Sequence, residues 1–143
     1  MADLVKPTTT EHAYEAESFD VGAYQAELDH LNLDVGQKVI FENDRVRVWQ
    51  SQLNPGERAV FHTHTIDYFW VCVRASTAYQ RFSDGTARLI EPEKGQVDFQ
   101  TYAPGEQLTH DLENIGTDVL EIVTVELVGS SRQVTSTTGQ TIS

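Results

Sequence analysis

The sequence is poor in cysteine, lysine and long apolar runs, and each shortage removes a class of explanation. A single cysteine, Cys72, cannot close a disulfide within the chain. Its neighbours in FWVCV are apolar, which reads as a buried, inert thiol in preference to a nucleophile. Only three lysines, Lys6, Lys38 and Lys94, occur, and ten cationic side chains in all stand against 22 carboxylates, a formal net charge of -12. Such a surface repels phosphate backbones and anionic headgroups, so no nucleic acid and no membrane is expected as a partner. The acid excess reads as ordinary solubility charge, with a salt-adapted surface as the alternative. No apolar run approaches the roughly 18 residues that cross a bilayer. The opening MADLVKPTTTEHAYEAE lacks the positive start and apolar middle of a secretory leader, and a cytoplasmic protein is expected.

What is present suits one core and one site. The chain has 143 residues, 39% hydrophobic and 22% charged, the balance of a single globular domain. Residues 1–17 and 129–143 are polar, without apolar rhythm, and read as flexible tails. Residues 18–37 form an arm with a short helix: Asp20 is placed to cap it, Phe19 and Tyr24 to staple it, and Leu28 and Leu31 to continue one face. From residue 38 to 128 the pattern becomes short segments rich in Val, Ile, Phe, Tyr and Thr. The segments predict strands near 38–42, 45–53, 59–64, 67–74, 77–82, 86–91, 97–102, 108–113 and 118–128. Turn signals at Asn43-Asp44, Asn54-Pro55-Gly56, Asp84-Gly85, Lys94-Gly95, Pro104-Gly105 and Ile115-Gly116 separate them. The fold class is all-β, a closed barrel or two-sheet jelly roll, with no internal repeat.

Of the five histidines, His12 and His30 fall in the polar tail and the arm and read as exposed bystanders. His62 and His64 differ, because alternate residues of a strand point to one face and both imidazoles can meet at one point. Neutral imidazole is the commonest ligand for zinc, copper, iron and nickel. By itself such a pair is equally compatible with a surface doublet, and its context decides.

That context is Pro55-Gly56, five residues, His62-Thr63-His64, then 45 residues to His110 and three more to Asn114. The stretches PGERAVFHTH and HDLEN resemble the two sequence motifs of the cupin superfamily, and the resemblance spans residues 38–128. It implies a single-domain cupin β-barrel, or double-stranded β-helix, with His62, His64 and His110 as metal ligands and Asn114 as a structural asparagine. HTHTIDYFWV and THDLENIGTDVLEIVTVEL are most similar to short cupins associated with β-alanine degradation. The chain departs from the family where a glutamate ligand is usual, offering Tyr68 or Phe69 after Asp67. Pro104-Gly105 also lies four residues before His110, where two are usual.

A site of three histidines leaves the ion's charge uncompensated and coordination positions open. The resemblance implies a divalent transition metal ion, Fe2+ first, with Zn2+, Ni2+ or Mn2+ next. It also implies an enzyme for a small oxygenated substrate, a carboxylate or dicarbonyl. Iron would make it a dioxygenase, the other metals a lyase or isomerase. The alternative is a non-catalytic cupin that binds a metal or metabolite in a regulatory or auxiliary role. Tyr68 is the candidate catalytic residue, a phenol that hands a hydrogen bond or proton to substrate, or else a packed aromatic. Asp67 and Asp111 read either as carboxylates orienting a ligand histidine or as solvated turn residues. Glu126 replaces the missing carboxylate only if it faces inward, and an edge or outward position is expected. Trp49, Phe69 and Trp70 are expected to fill the core or a subunit interface, and a homodimer is expected by resemblance.

Overall fold

The computed structural model describes residues 17–130. His12 and most of the two expected tails lie outside the described residues. Among those described, the strands are β1 (Glu17–Ser18), β2 (Lys38–Glu42), β3 (Arg47–Leu53), β4 (Arg58–His64), β5 (Tyr68–Arg74), β6 (Ala78–Arg81), β7 (Thr86–Ile90), β8 (Val97–Gln100), β9 (Leu108–Asn114) and β10 (Leu120–Glu126). They form two five-stranded sheets, in the orders β1-β7-β6-β9-β4 and β2-β3-β10-β5-β8. All the pairings are antiparallel. This is the all-β, two-sheet barrel that the sequence predicts. β1, too short for a periodic signal, is the addition.

The turns follow from residue type. Gly56, Gly85, Gly95 and Gly105 all have positive φ, between 86° and 93°, a region that a Cβ disfavours. Each occupies a turn that the sequence marks. Gly116 answers to space instead: a Cβ there would lie 2.2 Å from Ser76 Oγ and 2.8 Å from Thr77 N.

The arm is a 3-10 turn, Val21–Tyr24, leading into one α turn, α1 (Gln25–Leu28). Asp20 caps it by accepting from Gly22 N at 3.0 Å. Phe19 and Tyr24 meet edge to face at 5.7 Å, and both rings pack on Phe61 of β4. Leu31, expected on the buried face, is instead 71% exposed, because the helix ends before reaching it. The arm is locked by charge as well. Glu27 takes Arg58 of β4 through both carboxylate oxygens at 2.7 and 2.8 Å and accepts from Phe61 N at 3.0 Å.

The interior bridges the sheets. Leu53 and Leu120 of one pack with Ala78 and Ile90 of the other, while Tyr68 packs with Phe82, Tyr102 and Leu108. Cys72 is buried beside them, and burial pushes its thiol up to about 11, so it is a packed side chain. Asn114 is fully buried: its amide donates to Leu53 O and Asp118 O, both at 2.8 Å, and accepts from Ser76 Oγ and Gly116 N at 2.8 and 3.0 Å. One side chain thereby ties together the ends of three connections.

Candidate metal centre

His62 and His64 stand on β4, and His110 on β9 is the direct cross-strand partner of His62. A β-bulge makes this convergence possible. Arg58 and Ala59 pair with Glu113 and Leu112, after which the register slips by one before His62 meets His110. Strict alternation would put Ala59 and His62 on opposite faces; the extra residue at Val60–Phe61 lets both line one cavity. Phe61 is thereby free to turn the other way, under the arm.

The three histidines are buried, and one ring nitrogen from each lies within 4.8 Å of the other two. His64 Nε2 and His110 Nε2 are 3.1 Å apart. Two nitrogens at right angles on one ion, each about 2.1 Å from it, stand about 3.0 Å apart. The spacing suits cis ligands of one metal. Burial holds all three imidazoles below their ordinary pKa, so they are neutral and keep lone pairs available. Mutual proximity lowers His64 and His110 further. The donor set, three neutral imidazoles with no carboxylate among them, fits a divalent transition metal.

Each ring is oriented by a different device. His62 Nδ1–H donates to Val60 O at 2.8 Å, on the bulge itself, which leaves Nε2 as the ligand atom. His64 has no partner for Nδ1 among the described residues; its ring lies on that of Tyr68, centroids 4.0 Å apart and planes 12° from parallel. His110 presents Nδ1 to the amide of Gln80, with Nε2 of Gln80 3.5 Å away.

The surrounding cavity, about 60 Å³, is mostly apolar. Its walls include Val35, Ala59, Trp70, Ile90, Leu112 and Ile122, with Tyr68, Gln80, Ser51 and Thr124 as the polar exceptions beside the histidines. Tyr68 is buried, and burial with Tyr102 and Asp98 nearby holds its phenol well above the usual tyrosine range, so it stays protonated. Trp70, expected in the core or a subunit interface, is half-buried, packs against the Tyr68 cluster and lines this cavity. Trp49 is buried as expected, and Phe69 stacks on Phe99 on the outer face.

The nearby carboxylates are engaged elsewhere. Asp111 is neither a histidine-orienting group nor a solvated turn residue. Fully buried on the opposite face of β9 from His110, it accepts from Arg58 Nε at 2.7 Å, Arg81 N at 2.8 Å and Arg81 Nη1 at 3.0 Å. Asp67 accepts from Tyr102 N at 2.9 Å and so braces a loop. Glu126 does face inward, opposite Tyr68, contrary to the outward position expected for it. Its carboxylate is held by Trp49 Nε1 at 2.8 Å and Arg47 Nη1 at 3.4 Å, and it does not join the histidine cluster.

Gln80 and Arg88 escape sequence reasoning, although the alternation of Ala78, Gln80 and Phe82 carries a signal: a lone amide between two buried apolar positions. The two residues are paired across β6 and β7. Arg88 is buried, its guanidinium 5.1 Å from the centre of the Phe82 ring. His30, an expected bystander, is exposed.

No family model matches the chain, and no curated protein matches it. Among solved structures it is similar to a cupin domain from Bordetella pertussis Tohama I. The two are 21% identical, with a TM-score of 0.55 over 63% of this chain and 88% of that one. It is also similar to an uncharacterized conserved protein with a double-stranded β-helix domain from Klebsiella pneumoniae. There the identity is 19%, with a TM-score of 0.52 over 80% of this chain and 91% of that one. These likenesses establish the fold alone: a double-stranded β-helix like that of the cupin domain it resembles. No helix among the described residues is long and apolar enough to cross a membrane.

Proposed function

We propose that the protein is a metal-dependent cupin enzyme acting on a small oxygenated organic molecule, a carboxylate or dicarbonyl, with iron(II) as the metal and dioxygen as co-substrate. The observation that carries this reading is the convergence of His62, His64 and His110 at the wall of an apolar cavity. Iron(II) held there would supply dioxygen activation, and zinc, nickel or manganese would supply polarisation of a carbonyl. The neutral ligand set favours a substrate whose head brings the compensating negative charge, and the apolar walls favour a hydrocarbon body behind it. In this scheme Tyr68, kept protonated by burial, offers a hydrogen bond or proton to the bound oxygen atoms. Tyr68 also fixes the plane of His64 by stacking.

One observation favours a second reading, a cupin that binds a metal or metabolite without turnover. Asp67, Asp111 and Glu126 are all committed to other partners, and among the described residues no carboxylate lines the cavity. The two readings separate on one experiment. Protein purified without chelator or affinity tag is analysed for metal, loaded anaerobically with iron(II), and tested for oxygen uptake with a panel of β-dicarbonyls and small carboxylates. Uptake that requires His62 supports the enzyme; stoichiometric metal with no uptake supports the binding protein.

A homodimer is part of the proposal. β2 is an edge strand, exposed throughout, and Phe41 on it is 56% exposed beside the exposed Val39 and Ile40. An apolar edge of this kind favours pairing with a second copy.

A further inference from the structure

The contact between Gln80 and His110 is unlike the other two that hold the ligand rings. At 3.5 Å it is long for a hydrogen bond, and the other end of the amide, Gln80 Oε1, is buried with no hydrogen-bond partner among the described residues. As the amide stands, its NH2 faces His110 Nδ1, which can accept only if the ring carries its proton on Nε2. That tautomer suits the short contact between His110 Nε2 and His64 Nε2, 3.1 Å, in which one nitrogen must donate to the other. It is incompatible with metal ligation by Nε2, which needs that lone pair. A ring whose Nε2 is given to an ion carries its proton on Nδ1, facing Gln80, and there requires an acceptor. A half-turn of the amide supplies Oε1 at that place. Because Oε1 as it stands has no hydrogen-bond partner among the described residues, no bond at that end is lost when the amide turns to suit the ring's tautomer.

We propose that Gln80 is a positioning residue for His110: its amide donates to Nδ1 when the site is empty of metal and turns to accept from Nδ1–H when Nε2 is committed to an ion. An amide, like a hydroxyl, serves both states, whereas a carboxylate accepts but cannot donate and an aliphatic chain does neither. The inference rests on the metal-binding reading above, and the experiment separates the two. Cobalt(II) and zinc(II) affinities are measured by chelator competition for the wild-type chain, Gln80→Met, which keeps the volume, and Gln80→Glu, which keeps only the acceptor.

Gln80→Met is expected to bind about 10- to 100-fold more weakly, and Gln80→Glu to recover at least the wild-type affinity. Nitrogen-15 NMR of the His110 ring supplies a readout that altered packing would not move. In the zinc-loaded wild type the proton is expected on Nδ1, and in the metal-free protein on Nε2. A wild-type chain that binds neither ion overturns the metal-binding reading itself. Wild-type binding with unchanged affinity in folded Gln80→Met overturns the role of Gln80 alone, as does a His110 ring whose Nδ1 ligates the ion. Failure of Gln80→Glu to recover affinity overturns the acceptor role.

Discussion

Glu27 on the helical arm and Arg58 on β4 form a two-point ion pair at 2.7 and 2.8 Å, and the same guanidinium reaches Asp111 behind the third histidine. The arm is thereby joined to the strands that carry all three candidate ligands. Glu27→Ala is expected to lower stability by about 2 kcal/mol, because a charge-assisted pair is lost and Arg58 keeps Asp111 alone. Arg58 holds the Glu27 carboxyl below its ordinary range. A lowered carboxylate stabilises above its unfolded pKa, so this contribution is complete at neutral pH and is lost as pH falls below about 4.5 through the folded value. Urea unfolding at pH 7 and pH 3.5 tests it; a wild-type advantage over Glu27→Ala that persists unchanged at pH 3.5 contradicts the assignment.

Metal removal has a thermodynamic signature independent of turnover. An ion that binds the folded chain at a concentration 100-fold above its Kd stabilises it by about 2.7 kcal/mol. Adding zinc or cobalt to chelator-stripped protein is therefore expected to raise Tm by several degrees. His62→Ala, His64→Ala and His110→Ala should each abolish the rise. An equal rise in His110→Ala would place the ion elsewhere.

Tyr68 has two separable parts, a ring that stacks on His64 and a protonated hydroxyl. Tyr68→Phe retains the ring and is expected to leave metal affinity within about twofold while lowering turnover by a factor of about 100 or more, the usual span for a lost proton donor. Tyr68→Leu removes the stack as well and should weaken metal binding. Full turnover in Tyr68→Phe would return this residue to a purely structural role.

Asn114 spends every donor and acceptor of its amide on four partners. Asn114→Asp strands two buried carbonyls, of Leu53 and Asp118, and adds charge, so a loss of about 3 kcal/mol or more is expected. Chemical denaturation measures it, and a loss under about 1 kcal/mol would be inconsistent with the saturated geometry.

Phe41 tests the quaternary proposal. In Phe41→Lys a charge replaces the most exposed large apolar side chain of the edge strand, and light scattering is expected to show a dimer in the wild type and a monomer in the variant. A monomeric wild type contradicts the proposal.

Much of this was legible in the residues. The nine strands read from alternation and turn chemistry each begin and end within about two positions of those observed, since short β segments bounded by Gly, Pro, Asn and Asp leave little freedom of register. The three histidines were legible through spacing and resemblance together. What was not legible depends on register and partner choice. The slip between Ala59 and His62 has no composition signal, and neither does the side of β10 on which Glu126 lies. Asp111 follows the parity of its strand away from His110, but the arginines that bind it come from β4 and β6, distant in sequence. Gln80 was hidden because an amide carries no charge to draw notice, even at a buried position.

The bulge at Val60–Phe61 gives the arm and the candidate centre separate residues of one strand: Phe61 serves the first, His62 and His64 the second. Deleting Val60 or Phe61 would restore regular pairing between Ala59–Leu112 and His62–His110 and leave the HTH pair facing inward, while removing either the Val60 carbonyl that orients His62 or the Phe61 ring that seats the arm. A chain shortened by one codon there would therefore keep its imidazoles gathered and lose its hold on the arm or on the plane of His62.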